Sequence, residues 1–146
     1  MSYKKLKLNG CYDIVNDNLI RSSYTTYLVL NDEKILSMVV LKDTGIKLIT
    51  NLDCVMDKLN SIITNKEYTE EQIPFPDSII KYGEEVDIYF ICYYSVSHFG
   101  LNKIHYLYID DNGRYWYRIL DILMKTDNLD LYEVVKPKLN NELHLA

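Results

Sequence analysis

Histidines are the first residues to test for chemistry, because imidazole titrates nearest neutral pH. The chain has three: His98, His105 and His144. His98 and His105 flank the turn Ser97-His98-Phe99-Gly100, and Asp110 and Asp111 follow at the next turn. A metal site or an acid–base pair needs such groups to converge. If the intervening residues are extended, His105 and Asp111 stand ~20 Å apart, so no metal site is expected. Ser97 adjoins His98, but neighbouring residues of a strand point to opposite faces, so the pair does not make a nucleophile and its base. There is no Gly-x-Ser-x-Gly elbow and no Gly-rich phosphate loop. Glu70-Glu71 and Glu84-Glu85 fall in loop-like stretches and read as solvated charge. No cofactor is expected, and no catalytic residue is assigned. An enzymatic alternative, a small hydrolase or nucleotide-processing enzyme, would need His98 or His105 to meet a carboxylate in a cleft.

Cys11, Cys54 and Cys92 are odd in number, far apart and in apolar surroundings. They read as reduced, buried thiols of a reducing compartment, with no Cys-x-x-Cys pair for zinc or redox chemistry. The net charge is −5, and the basic residues are dispersed apart from Lys4, Lys5 and Lys7, a run that reads as a solvated edge. That disfavours nucleic-acid binding through counterion release. The first residues lack an apolar signal core, and no run approaches ~20 apolar residues. A cytoplasmic protein without a membrane segment is expected. Hydrophobic residues make up 48 %, which excludes compositional disorder. The abundance of Tyr, Ile, Asn, Lys and Asp is what an AT-rich genome encodes.

The elements that must position any site are mostly strands. Leu6 to Val15 alternates, with Gly10 as a bend, and Asn16-Asp17-Asn18 is a turn. Tyr24 to Leu30 and Ile35 to Leu41 form a hairpin about Asn31 to Lys34, and Ile46 to Ile49 is a short strand. The period then changes. Leu52, Val55, Met56, Leu59, Ile62 and Ile63 make one stripe of an amphipathic helix over about 52–64, which Thr50 or Asn51 can cap. Lys66 to Asp77 reads as a loop. Val86 to Ser97, Ile104 to Asp110, Tyr115 to Met124 and Leu129 to Val135 are strands again. The expectation is a mainly β (α+β) fold of about eight strands, either an antiparallel meander or a barrel. It occupies a single domain over 1–137, with 138–146 a loose tail.

Asn112-Gly113 between alternating strands predicts a two-residue hairpin turn. In that register Tyr108 faces Tyr117, Tyr106 faces Ile119, and Ile109 faces Trp116. Trp116, Ile109, Leu107 and Leu120 then form a core face. Tyr106, Tyr108, Tyr115 and Tyr117 form the other, joined by Tyr89 and Tyr93 from the preceding strand. Tyrosine offers wide apolar area with one polar handle, so six on one face suit a binding surface. The plainer account is that tyrosine, present fourteen times, simply suits half-buried sheet.

The opening Leu8-Asn9-Gly10-Cys11-Tyr12 resembles a relaxed form of the Gly-x-Trp start of lipocalin-like barrels, with Tyr12 in place of the tryptophan. The element order, a first strand, a hairpin, a helix and a meander, is similar to that of small lipocalin-like bacterial proteins. The resemblance implies a barrel with an internal cavity and carries no catalytic residue.

The expected function is a non-enzymatic binding or interaction protein, of immunity, inhibitor or defence-antagonist type by analogy. Its partner is a protein or small molecule met through the tyrosine face or cavity. A structural subunit of a larger assembly is the other alternative, and an oligomer is compatible with all three readings.

Overall fold

The computed structural model describes residues 3–73, 76–122, 130–131, 135–138 and 141–145. The strands are β1 Tyr3–Leu8, β2 Tyr12–Val15, β3 Asn18–Arg21, β4 Thr25–Asn31, β5 Lys34–Lys42 and β6 Gly45–Ile49. A 3₁₀ turn, Asp53–Val55, leads into the helix α1, Met56–Thr64. There follow β7 Tyr68–Gln72, β8 Asp77–Lys81, β9 Glu84–His98, β10 Leu101–Asp110, β11 Tyr115–Ile122, β12 Asp130–Leu131, β13 Val135–Lys138 and β14 Asn141–Leu145. The chain divides into two compact units, Met1–Lys42 with Lys47–Ile73 and Asp43–Ile46 with Pro74–Ala146, where composition suggested one domain.

The first unit is built on a sheet of order β6-β5-β4-β1-β7. The expected helix forms because its apolar stripe has this sheet to cover. Leu52, Val55, Leu59 and Ile62 are buried with Leu6, Leu8, Leu28, Leu30, Met38 and Val40. Each such side chain contributes roughly 1.5–3 kcal/mol on burial. Neither Thr50 nor Asn51 caps the helix: Leu52 and Val55 hold the N-cap positions of the 3₁₀ turn and of α1 without a side-chain cap bond, and Asn51 Oδ1 only accepts the Asp53 N–H at 3.5 Å. Two strands were not legible. The segment expected as a loop contains β7, an edge strand on β1. Its carboxylates face the amino-terminal lysines: Lys5 Nζ lies 3.3 Å from Glu71 and Lys4 Nζ 3.6 Å from Glu70. Charge complementarity therefore replaces the apolar alternation that would have marked a strand. β3 was hidden because only Leu19 and Ile20 of its four residues are apolar. It returns on β2 through Asn16 and Asp17, both in left-handed conformation (φ 50° and 62°), as such a turn requires.

The second unit is a sheet of order β14-β13-β11-β10-β9-β8, with β12 also on β11. β8 falls between the expected loop, which ended at Asp77, and the strand expected from Val86, and was not assigned. The residues from 138 onward, expected as a loose tail, include β14, paired with β13. Two-residue turns at Tyr82-Gly83 and Phe99-Gly100 join β8 to β9 and β9 to β10. Tyr82 and Phe99 hold positive φ (51° and 50°), unusual for bulky residues, and both rings are exposed.

The mainly β, antiparallel expectation holds, but the barrel does not form. Closure requires the two edges of a sheet to pair. Here β6 and β7 end one sheet, β14 and β8 end the other, and β2-β3 is a separate two-stranded ribbon.

That ribbon is fixed to the first unit by polar groups. Thr26 Oγ1 accepts the Tyr12 N–H at 2.9 Å and donates to the Tyr12 carbonyl at 2.6 Å. Asp13, 3 % exposed, takes Lys47 Nζ at 2.7 Å on one oxygen and Lys42 Nζ at 3.1 Å on the other. The Ile14 N–H adds a bond at 2.7 Å, and Lys47 also donates to the Ile14 carbonyl at 3.0 Å. Burial alone would raise the Asp13 pKa. The bonds from Lys47, Ile14 and Lys42 outweigh it and hold the carboxyl below the usual aspartate range. A depressed carboxylate pKa contributes stability that is complete above the unfolded value and is lost as pH falls through the folded one. Asp13→Asn should therefore cost about 2 kcal/mol at pH 7, below the figure for a fully buried pair because both lysines are partly exposed. In urea titrations the gap between variant and wild type should narrow below about pH 4. A cost independent of pH would contradict this account of the ribbon.

Candidate functional site

The geometry of the second unit is decided at the turn between β10 and β11. Asp110 is 2 % exposed, and its carboxylate gathers the turn. Oδ1 accepts the N–H groups of Asn112 and Arg114, both at 2.9 Å, and Oδ2 accepts Trp116 Nε1–H at 2.9 Å. The backbone closes around it, with Gly113 N–H donating to the Asp110 carbonyl and Asp110 N–H to the Arg114 carbonyl. Gly113 takes the left-handed conformation (φ 78°). The loop is thus Asp111 to Gly113, of the three-residue kind that ends on a left-handed glycine. It is one residue longer than Asn112-Gly113 alone predicts.

One residue of loop shifts the whole ladder. Tyr108 pairs with Trp116, Tyr106 with Arg118, Ile109 with Tyr115, and Leu107 with Tyr117. The single face carrying Tyr106, Tyr108, Tyr115 and Tyr117 is therefore corrected: Tyr106 and Tyr108 lie on one side of the sheet, and Tyr115 and Tyr117 on the other. The expected core face is divided as well, because Trp116 shares the side of Tyr108 while Ile109 and Leu107 take the opposite one. A bulge makes a second change. The β9–β10 register shifts between Leu107 and Tyr108, so Phe90 pairs with Tyr108 but Tyr93 with Tyr106, leaving Ile91 as the extra residue. Phe90 and Tyr93, expected on opposite faces, share one. Tyr89 pairs with Ile109 and joins the Tyr115 side, where its hydroxyl donates to Asp111 at 2.9 Å. That bond, with burial and the Asp111 and Asp87 charges adding, raises the Tyr89 pKa.

The side that gathers Phe90, Tyr93, Tyr106, Tyr108 and Arg118 runs from core to solvent. Trp116 and Tyr108 are buried with Ile88, and Phe90 and Tyr106 pack against them half-buried. Tyr93 is 60 % exposed. The rings touch in series: Phe90 to Tyr108 at 5.8 Å, Tyr106 to Tyr108 at 6.4 Å, and Tyr93 to Tyr106 at 6.2 Å between centroids. The Arg118 guanidinium lies over two of them, 5.6 Å from Tyr106 and 5.8 Å from Tyr108. Such cation–π contacts hold the planar fork in orientation. Its Nε is buried without a hydrogen-bond acceptor among the described residues. Burial pushes the Tyr108 hydroxyl pKa up; Arg118 opposes this, and Asp77 and Tyr106 add to it. Tyr108 thus stays neutral at physiological pH and presents a hydroxyl rather than a phenolate.

The other candidates do not converge. His105 sits edge-on to Tyr117, with centroids 5.3 Å apart, and its Nδ1 lies 3.2 Å from where a Cβ at Gly45 would be. The side chains of His98 and His144 lie outside the described residues, as do residues 123–129. No group of three His, Cys, Asp or Glu side chains placed to hold a metal occurs among the described residues. The three cysteines, expected buried, divide: Cys92 is buried, Cys11 intermediate and Cys54 exposed. None of the three comparisons, with family models, curated proteins and solved structures, gives a match.

Arg118 and Phe90 were missed from sequence because both faces were drawn from an unbroken two-residue period. The available signal was Asp110 itself. An aspartate two and four residues before turn N–H groups can accept both, which lengthens the loop. Asp110→Ala would leave those N–H groups and the indole without their acceptor, at about 3 kcal/mol. Trp116 is the chain's single tryptophan, so its fluorescence reads both the local environment and the unfolding midpoint. The expected result is a lower urea midpoint together with altered native emission. An unchanged midpoint would show that the carboxylate does not set the turn.

Proposed function

We propose that the chain is a non-enzymatic binding protein whose contact surface is the side of the second sheet bearing Phe90, Tyr93, Tyr106, Tyr108 and Arg118. The observation that carries this reading is Tyr93. A tyrosine 60 % exposed continues a series of touching rings anchored in the core by Tyr108 and Trp116. Its neighbours fix the rings before anything binds, so little rotamer entropy remains to be lost. Large, rigid rings with polar tips are the side chains that dominate the energetics of contact surfaces. The partner is a protein or a small molecule with an apolar planar group. Tyr89, Tyr115 and Tyr117, on the opposite side, are not part of this surface.

A cytoplasmic setting fits the absence of disulfide bonding at all three cysteines. No helix among the described residues is long and apolar enough to cross a membrane. No specific observation favours the enzymatic alternative or a structural subunit.

The test is a panel of small aromatic fragments followed by two-dimensional NMR. Ligands should perturb signals of Phe90, Tyr93 and Tyr106, and Tyr93→Ala should weaken them about tenfold, as loss of one contact worth ~1.4 kcal/mol does. Perturbations clustered elsewhere, or equal binding by Tyr93→Ala, would remove the reading.

A further inference from the structure

Arg118 is placed as a receptor is placed. It reaches the aromatic surface from β11, opposite Tyr106, and its guanidinium is stacked on Tyr106 and Tyr108. A guanidinium carries five N–H donors and one permanent charge. Buried or half-buried arginines normally spend these on a carboxylate or on carbonyl groups. Here Nε is buried with no acceptor, and no ion pair to Arg118 occurs among the described residues. Among the described residues, the guanidinium meets the ring faces of Tyr106 and Tyr108. Other paired cations of the chain are satisfied internally: Lys42 and Lys47 by Asp13, Lys4 and Lys5 by Glu70 and Glu71. Arg118 is half-buried, so part of it still meets solvent, and Tyr106 stands between it and exposed Tyr93 in the sheet.

Resting on the binding function proposed above, we infer that Arg118 receives a carboxylate of the bound partner, carried next to an aromatic or apolar group that packs on Phe90, Tyr93 and Tyr106. The planar fork matches a carboxylate with two parallel bonds. The surroundings select a single negative charge over a multiply charged one. Asp77 acts on Tyr108 from the same region, and the chain carries a net charge of −5. Both repel a dianionic phosphate more than a carboxylate. The ligand class is therefore a small-molecule aryl or otherwise apolar carboxylate.

Four probes at matched ionic strength separate the parts of this proposal: benzoate, its neutral counterpart benzamide, acetate and inorganic phosphate. Binding is followed through the Arg118 Nε–H signal and the ring signals of Phe90, Tyr93 and Tyr106. The expected result is benzoate at least about tenfold tighter than benzamide, with acetate and phosphate weaker than benzoate, because charge-assisted bonds add to ring packing. Arg118→Gln should erase the preference for benzoate over benzamide while leaving benzamide binding in place. Arg118→Lys, which keeps the charge but not the fork, should retain only part of it. Should Arg118→Gln fail to fold, the four-probe series on the wild-type protein decides alone. Benzamide equal to benzoate would overturn the carboxylate inference and leave the aromatic surface standing. Phosphate tighter than benzoate would overturn it in favour of a phosphate ligand. If none of the ring compounds perturbs Phe90, Tyr93 or Tyr106, the binding surface and the inference fall together.

Discussion

The carboxylate of Asp110 is the constraint on which the second unit depends. Three donors converge on it from a chain reversal and a buried indole. A buried charge of this kind is tolerated only when such donors replace the lost water. Because the same group satisfies two turn N–H groups, it sets the number of residues in the loop. The number of residues in the loop sets the register, and the register sets which side chains share a face. The partnership of Arg118 with Tyr106, and of Trp116 with Tyr108, follows from that chain of causes. A two-residue loop would have put Arg118 opposite Leu107 and left the guanidinium without its ring faces.

The first unit uses charge differently. Its apolar core joins the helix stripe to inward residues of β1, β4 and β5, whose periods were plain from spacing, and to Leu19 of β3. Its polar contacts add the pieces that spacing cannot specify: β7 is drawn to β1 by opposite charges, and the β2-β3 ribbon is held by Asp13 and Thr26. Desolvating Asp13 is offset by two ammonium groups and a backbone N–H, so hydrogen-bond satisfaction joins the apolar contacts of Leu19, Tyr12 and Ile14 in fixing the ribbon.

Much of the fold was legible because helix and strand periods differ. The helix, the long β9 and the β4-β5 hairpin each rest on a run of apolar residues whose period is unambiguous. β3, β7 and β8 were not legible, because short or edge strands carry polar residues that resemble loops. The tyrosines were correctly identified as residues of β9, β10 and β11, and incorrectly sorted between faces. Two local events defeated the sorting: the extra loop residue at the Asp110 turn and the bulge at Ile91. Each inverts alternation on one side of itself, and neither leaves a trace in hydropathy. Arg118 was passed over for the same reason, since its character depends on what stands across from it.

Backbone NOE contacts between β10 and β11 test the central claim most directly. The account predicts cross-strand contacts that pair Tyr108 with Trp116 and Tyr106 with Arg118. Contacts pairing Tyr108 with Tyr117 and Tyr106 with Ile119 would contradict it, and would put the four tyrosines of this hairpin back on a single face.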